Sequence, residues 1–315
     1  MVSLTKNPNL VLLAALLFGL FTGGCGSSSV DPFDSEWDLS ESDVPGGDLD
    51  VAPDQLTEVV DLIGDSSTET TEPSASLESG LMTIRLEDPS TLSVYRGDDL
   101  LLRLSTDAFA YGLVGQLDDA ANYDPWPLVT GDGLYSPPEG LEWRSAVSYA
   151  SVEGEPGELL LLLDFGEGIE GKVHVTKDGE NRIRLRWEVI PTTSSVGYMR
   201  IRPRIDESEG LYGLGEYFDQ VNNRGKLRAM QIEPYGALES KYNEAHVPVP
   251  FVIGTSGWGL FVESRLPGTF DCATQEDDLL EVTYGTGTFS GSQGLVFYLM
   301  VEDNPVDLTQ HSYEI

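Results

Sequence analysis

An all-β fold, a large antiparallel β-sandwich, is what residues 79–303 predict. Three observations carry it. Short apolar or alternating runs follow one another at close spacing. Turn residues separate them, and the chain holds 34 glycines and 18 prolines. Helical periodicity is almost absent, so sheets are the layers available to bury apolar faces. With 315 residues, 40% of them apolar, there is material for one large or two small domains with a real core.

Residues 1–25 read as a targeting segment. Lys6 supplies a short positive stretch, and Leu10–Phe21 is an uncharged apolar run of signal-peptide length, too short to span a bilayer comfortably. Thr22-Gly23-Gly24-Cys25, followed by glycine and serines, resembles a bacterial lipobox, although no Leu stands three residues before the Cys. The implied chemistry is a diacylglyceryl thioether on Cys25 with cleavage before it. Such an anchor holds an exported protein on a membrane without spanning it. Gly26, where a retention signal for the inner membrane has Asp, points to the outer membrane or cell surface. The other reading is an ordinary secretory signal with an incidental Cys.

Residues 26–78 carry 15 acids and no base, with abundant Ser, Thr, Pro and Gly, and predict a disordered acidic linker. A short helix over Gln55–Ile63 is a weak possibility within it. The acidic spacing in Gly46–Asp54 suits calcium, but the segment lacks a complete ligand loop and a closing bidentate Glu, so a solvated spacer is the simpler reading. The whole chain has a net charge of −35, which repels phosphate backbones and argues against nucleic acid as a partner. Of two cysteines, Cys272 lies in a strand pattern and reads as a small buried apolar residue. If Cys25 is lipidated, no intrachain disulfide can form.

Strands are expected at Leu81–Leu86, Thr91–Tyr95, Leu100–Leu104 and Leu141–Val152. Ala110–Pro138 is rich in Gly, Asp and Pro and reads as a long surface excursion. Leu159–Phe165 is a nearly continuous apolar run, as in a strand covered on both faces. Lys172–Thr176 and Arg182–Ile190 flank a hairpin turn at Lys177–Asn181. In the second strand Ile183, Leu185, Trp187 and Val189 alternate inward, with the arginines on the wet face.

The densest signals lie in residues 210–264. Gly213 and Gly215 leave one side of a strand open to close approach by another backbone or a ligand. Pro248 and Pro250 cannot donate to a ladder and favour extended backbone. Gly257-Trp258-Gly259 reads as a tight turn between Phe251–Ile253 and Leu260–Val262, giving a β-hairpin. Near the C-terminus Asn304 can cap a helix, with Pro305 at its first position and Asp307 in its first turn.

Tyr212-Gly-Leu-Gly-Glu216 with Phe218-Asp219, then Asn222-x-Arg-Gly225, then Pro250-Phe251 through Gly259-Leu-Phe-Val262, resembles the N-terminal β-sandwich of glycoside hydrolase family 31. The likeness extends through Phe270-Asp271, Gly294–Val301 and Asn304–Tyr313, and more weakly back to about residue 80. That family holds retaining α-glucosidases and α-xylosidases. The resemblance implies a galactose-mutarotase-like supersandwich. Residues 304–315 would be the start of a helix leading to a (β/α)8 barrel that carries the two catalytic aspartates, so the chain is expected to be a fragment and no catalytic residue is assigned in it. Tyr217 departs from the Arg usual at that point of the family motif. No metal and no organic cofactor is implied.

By the same resemblance, the loop Asn222–Val247 overhangs the barrel mouth and helps shape a pocket for an α-linked oligosaccharide. Its candidate contacts are Asn223, Arg224, Gln231, Glu233 and Tyr235. For Arg224 a structural ion pair is an equal reading, and for Glu233 and Tyr235 an ordinary surface role is the commoner one. Glu216 is expected to accept backbone N–H bonds at a strand end. Two other functions fit the sequence. One is a stand-alone surface lipoprotein that binds carbohydrate without catalysis, using aromatics such as Trp126, Trp143 and Trp258, although core packing is their commoner fate. The other is a sugar mutarotase, which needs a His acid and a Glu base; His174, His246 and His311 lie in no recognisable motif for it.

Overall fold

The computed structural model describes residues 75–115, 123–130, 138–152, 155–167, 169–190, 196–217, 219–230, 247–286 and 294–315. The segment read as a targeting signal with Cys25, the acidic segment weighed for calcium and for a short helix, and Gln231, Glu233, Tyr235 and His246 lie outside the described residues. The described strands are β1 (Ala75–Ser79), β2 (Met82–Asp88), β3 (Thr91–Arg96), β4 (Asp99–Ser105), β5 (Phe109–Leu113), β6 (Glu142–Ser145), β7 (Ser148–Val152), β8 (Glu158–Asp164) and β9 (Glu170–Lys177). They continue with β10 (Arg182–Ile190), β11 (Val196–Ile201), β12 (Leu211–Gly215), β13 (Lys226–Ala229), β14 (Pro248–Gly254), β15 (Trp258–Glu263), β16 (Gly268–Cys272), β17 (Leu280–Gly285) and β18 (Gly294–Val301). Two short α-helices are described, α1 (Trp126–Thr130) and α2 (Leu308–Tyr313).

The strands form three antiparallel sheets. An eight-stranded sheet runs β12-β14-β15-β18-β10-β9-β8-β7, and a six-stranded sheet runs β13-β16-β17-β11-β5-β6. A meander of four strands, β1-β2-β3-β4, shares their core. The expected all-β sandwich is therefore present. Its first described strand starts at Ala75, ahead of the boundary at residue 79. Phe109 on β5 meets Trp187 on β10 at 5.6 Å and Tyr149 on β7 at 5.9 Å, so the two large sheets are joined by edge-to-face aromatics.

β10 shows how alternation builds this core. Ile183, Leu185 and Trp187 are fully buried and Val189 nearly so. Arg184 and Arg186 are half-buried on the other face, but Arg182 is only 8% exposed, which corrects the expectation of a wet arginine. Its guanidinium is occupied by Asp178 at 2.8 Å and by the His311 carbonyl at 3.0 Å, so the charge is compensated where it is buried.

Other expectations are corrected by where the chain must turn. The run Leu141–Val152 is not one strand but two, in different sheets. At the break, Ala146 N–H bonds the Phe109 carbonyl of β5, while Val147 N–H bonds the Asp164 carbonyl at the end of β8. The apolar run at β8 is not covered on both faces: Leu159, Leu161 and Leu163 are buried, but Leu160 and Leu162 are half-buried beside His174 and Lys172 on β9. Ala110–Pro138 begins in β5, and of its described residues Val114 and Tyr123 pack on Tyr198 of β11.

The β14–β15 hairpin is present, but its turn lies at Thr255–Gly257, with Trp258 and Gly259 already in β15. Burial of the Trp258 indole draws that residue into the strand. Pairing of β14 with β15 starts only at Phe251, so Pro248 and Pro250 stand where no ladder bond to β15 is needed. The C-terminal helix starts at Leu308, later than Asn304 predicts, because Asn304–Asp307 closes first as a turn. Leu308 is fully buried against Phe251, Ile253, Tyr298 and Met300 on the outer face of the eight-stranded sheet.

The two faces of β8 give a direct test. Leu161→Ala should lose about 2–5 kcal/mol of unfolding free energy, the usual loss for a filled core site. Leu160→Ala should lose about 1 kcal/mol or less. Equal losses in urea denaturation would mean that both faces are core.

Candidate functional site

The stretch that sequence reasoning singles out is built around the end of β12. Gly213, Leu214 and Gly215 have φ of +94°, +65° and +104°, three consecutive residues in the left-handed region. A Cβ on Gly213 would lie 2.4 Å from the Phe251 carbonyl oxygen, and one on Gly215 would lie 2.1 Å from that of Val247. The close approach expected at these glycines is therefore made by the backbone of β14 and the residue preceding it. Leu214 pays a steric penalty of roughly 1–2 kcal/mol for this conformation, and its side chain is fully buried in the main core.

β12 is an edge strand, and an edge leaves backbone groups unpaired. The following loop supplies partners. Asn222 Oδ1 accepts from Leu211 N–H at 3.0 Å, Asn223 N–H donates to the Leu211 carbonyl at 2.7 Å, and Asn223 Nδ2 donates to the Gly213 carbonyl at 3.1 Å. Asn223 is 1% exposed, and its remaining oxygen accepts from Arg228 Nε at 2.8 Å. Arg224 donates to three backbone carbonyls, those of Glu209, Asp206 and Asp277, at 2.5–2.6 Å. Each of its three guanidinium nitrogens thus donates to a main-chain carbonyl.

Arg228 is the second cation of the site. It stacks 3.9 Å from the Tyr217 ring centroid and donates to Asp219 Oδ1 at 2.8 Å. Tyr217, the departure from the family motif, thereby gains a cation–π partner. The hydrogen bond from Arg228 holds the Asp219 carboxyl well below its ordinary range, at about 2. From here β13 pairs with β16, and Gly225 N–H bonds the Cys272 carbonyl, so the loop base is tied to both large sheets. Cys272 is fully buried, and burial pushes its thiol up to about 12, as suits a packed side chain rather than a nucleophile.

Sequence reasoning missed Glu209. Glu216, the acid it singles out, is exposed, and its backbone N–H donates to the Val247 carbonyl. The buried acid is Glu209, 5% exposed, whose carboxylate accepts from the Trp258 indole at 2.9 and 3.0 Å and from Ser256 N–H at 3.2 Å. The signal was Trp258 itself, since a buried indole N–H needs an acceptor. Trp258 and Trp126 are buried, as core packing requires, and the half-buried Trp143 lies 3.7 Å from the Arg200 guanidinium. His311 Nε2 lies 2.6 Å from Glu302 Oε1 and ties α2 to the end of β18; His174 is half-buried on β9. No group of three or more potential metal ligands occurs among the described residues, and no described helix is long and apolar enough to cross a membrane.

No family model matches the chain. It is 25% identical over 96 residues to the isomaltosyltransferase of Sporosarcina globispora, a match spanning 30% of this chain and 9% of that protein. Among solved structures it is similar to a GH31 family sulfoquinovosidase from E. rectale, with 16% identity and a TM-score of 0.45, covering 72% of this chain and 33% of the other. It is also similar to a GH31 dextranase from Flavobacterium johnsoniae, with 16% identity and a TM-score of 0.28, covering 74% of this chain and 26% of the other. The chain thus spans about a third or less of the length of the proteins it matches.

Two measurements test the geometry. Gly215→Ala should lose about 3 kcal/mol or more, or fail to fold, because it meets both a disfavoured φ and a backbone oxygen. Gly225→Ala has φ +74° but open space around the new methyl, and should lose only about 1–2 kcal/mol. For Asp219 the folded-state pKa is depressed, so its contribution is complete above pH 4 and is lost as pH falls toward 2. The stability gap between wild type and Asp219→Asn should therefore shrink between pH 5 and pH 2.5 in urea titrations.

Proposed function

We propose that this chain is the β-sandwich domain of a family 31-like glycoside hydrolase acting on α-glycosidic bonds, and that it contributes a loop to the substrate pocket without supplying catalytic groups. The observation that carries this reading is the Gly-Leu-Gly-Glu to Asn-x-Arg-Gly unit. Its glycines and its Asn223 and Arg224 build one clip at the edge of a sheet. The 96-residue likeness to an isomaltosyltransferase supports it.

In this reading Asn223 and Arg224 act on sugar indirectly, by fixing the base of the loop. Gln231, Glu233 and Tyr235 are the residues offered for direct contact with an α-linked oligosaccharide. Planar amide and carboxylate groups pair with hydroxyls, and an aromatic ring covers the apolar face of a pyranose. The same proposal places the protein outside the cytoplasm, held to the outer membrane or cell surface by lipid on Cys25.

Two experiments check it. The purified chain should release no 4-nitrophenol from 4-nitrophenyl α-glucoside or α-xyloside; turnover that co-purifies with it to constant specific activity would sink the non-catalytic assignment. In bacterial cells given radiolabelled palmitate, the wild type should take up label and Cys25→Ser should not. Equal labelling of the two, or none in the wild type, would remove the anchor.

A further inference from the structure

The connection between β15 and β16 crosses from the eight-stranded sheet to the six-stranded one and forms the lip of a cleft of about 530 Å³. Ser264, Arg265 and Leu266 line it from this connection, with Glu263 at the end of β15. Met199 and Tyr284 belong to the lining too, but each is only 1% exposed, so a ligand meets the lip first. The volume lies within the ~300–1,000 Å³ range of small-molecule sites.

Arg265 is the group at this lip that the fold leaves uncommitted. It is exposed and makes no hydrogen bond or ion pair among the described residues. Elsewhere arginines are engaged: Arg224 holds three carbonyls, and Arg182 and Arg228 hold acids. In a chain with 53 acids, a guanidinium that no acid has captured stands out. Its nearest acid in sequence, Glu263, instead accepts from the Tyr298 hydroxyl at 3.1 Å.

Ser264 adds a second donor. Its Oγ accepts from Leu266 N–H at 3.1 Å, which uses a lone pair and leaves the O–H free to donate. Arg265 brings five N–H donors in a planar fork and no acceptor. An exposed arginine by itself is a solvated charge; beside a free hydroxyl at the lip of a cleft it is a seat for an oxyanion. A carboxylate matches the fork with two parallel bonds. Glu263 in the lining and the net charge of −35 penalise each further negative charge, which favours a monoanion over a phosphate dianion.

We propose that the cleft binds a small organic monocarboxylate, held by the Arg265 guanidinium and the Ser264 hydroxyl, with the body of the molecule over the half-buried Leu266. An apolar acid and a sugar acid share this carboxylate chemistry, and the test separates them. This site is separate from the Asn222–Val247 loop and does not depend on the glycosidase reading.

The test uses 1-naphthoate and glucuronate as probes, each titrated into the whole purified chain by calorimetry at low salt. At least one should bind saturably, and its neutral counterpart, 1-naphthalenemethanol or methyl glucoside, about tenfold or more weakly. Which acid binds tells an apolar ligand from a sugar acid. Arg265→Gln should weaken the bound acid about tenfold or more. Arg103→Gln, at another exposed arginine outside the cleft, should leave the affinity unchanged. Both positions are exposed, and circular dichroism confirms that each variant keeps the fold. Saturable binding of neither acid means that Arg265 is only a solvated charge and overturns the proposal. Equal affinity in Arg265→Gln, or an equal loss in Arg103→Gln, overturns the assigned cation. Inorganic phosphate binding as tightly as the acid overturns the ligand class.

Discussion

The left-handed run at Gly213–Gly215 is the constraint on which the surrounding architecture depends. It bends the end of β12 and lets β14 approach without a side chain between the backbones. The ladder between the two strands changes register there, pairing Gly213 with Val252 but Gly215 with Pro248. A bent edge strand exposes carbonyls and N–H groups, and the chain resolves this in the segment that follows, up to Arg228. Asn222 and Asn223 pair the edge, Arg224 gathers three carbonyls behind it, and Arg228 locks Asn223 in place. Removing the bend would leave each of these groups without a reason to be where it is.

The same economy governs charge. Acids outnumber bases 53 to 18 over the whole chain, so cations are scarce and each is valuable as a clip. Arg96 joins the β14–β15 turn to the end of β18 through the Ser256 and Glu302 carbonyls. Arg202 and Arg204 cross the outer face of the six-stranded sheet to reach Asp107, Glu276, Asp278 and Glu281. Many of these guanidinium groups are partly buried, where charge-assisted bonds exceed the small value of exposed pairs. Acidity thus keeps the surface soluble while the few arginines hold strands and turns together.

How much of this could be read from sequence follows from the range of each interaction. Alternation in β10 is local, and its inward residues were legible because period-two patterning needs no knowledge of partners. The glycines of β12 were legible as points of close approach, since only a missing Cβ permits it. What came close, a backbone carbonyl, was not, because β14 lies more than thirty residues away in sequence. The division of Leu141–Val152 between two sheets was hidden for the same reason: an apolar run carries no mark of which sheet will claim each half. Glu216 stands out in the sequence because it lies in the motif. The buried acid is chosen instead by Trp258, whose indole demands an acceptor across 49 positions.

The candidate site was legible as a region and not as a set of roles. Asparagine and arginine beside a polar loop suggest ligand contacts, yet here Arg224 donates to main-chain carbonyls, and Asn223 divides its bonds between main-chain groups and Arg228. That outcome has its own logic. The segment after Met230 leaves from β13 at the edge of the six-stranded sheet and returns at β14 beside the edge of the eight-stranded one. A segment that bridges two sheets can be held in place only if both of its ends are fixed. Met230 N–H bonds the Gly268 carbonyl on the six-stranded side, and the Val247 carbonyl accepts from Glu216 N–H on the eight-stranded side. Polar residues at such a base are committed to position, and the rigidity of that base is set by hydrogen bonding at β12, before any question of substrate arises.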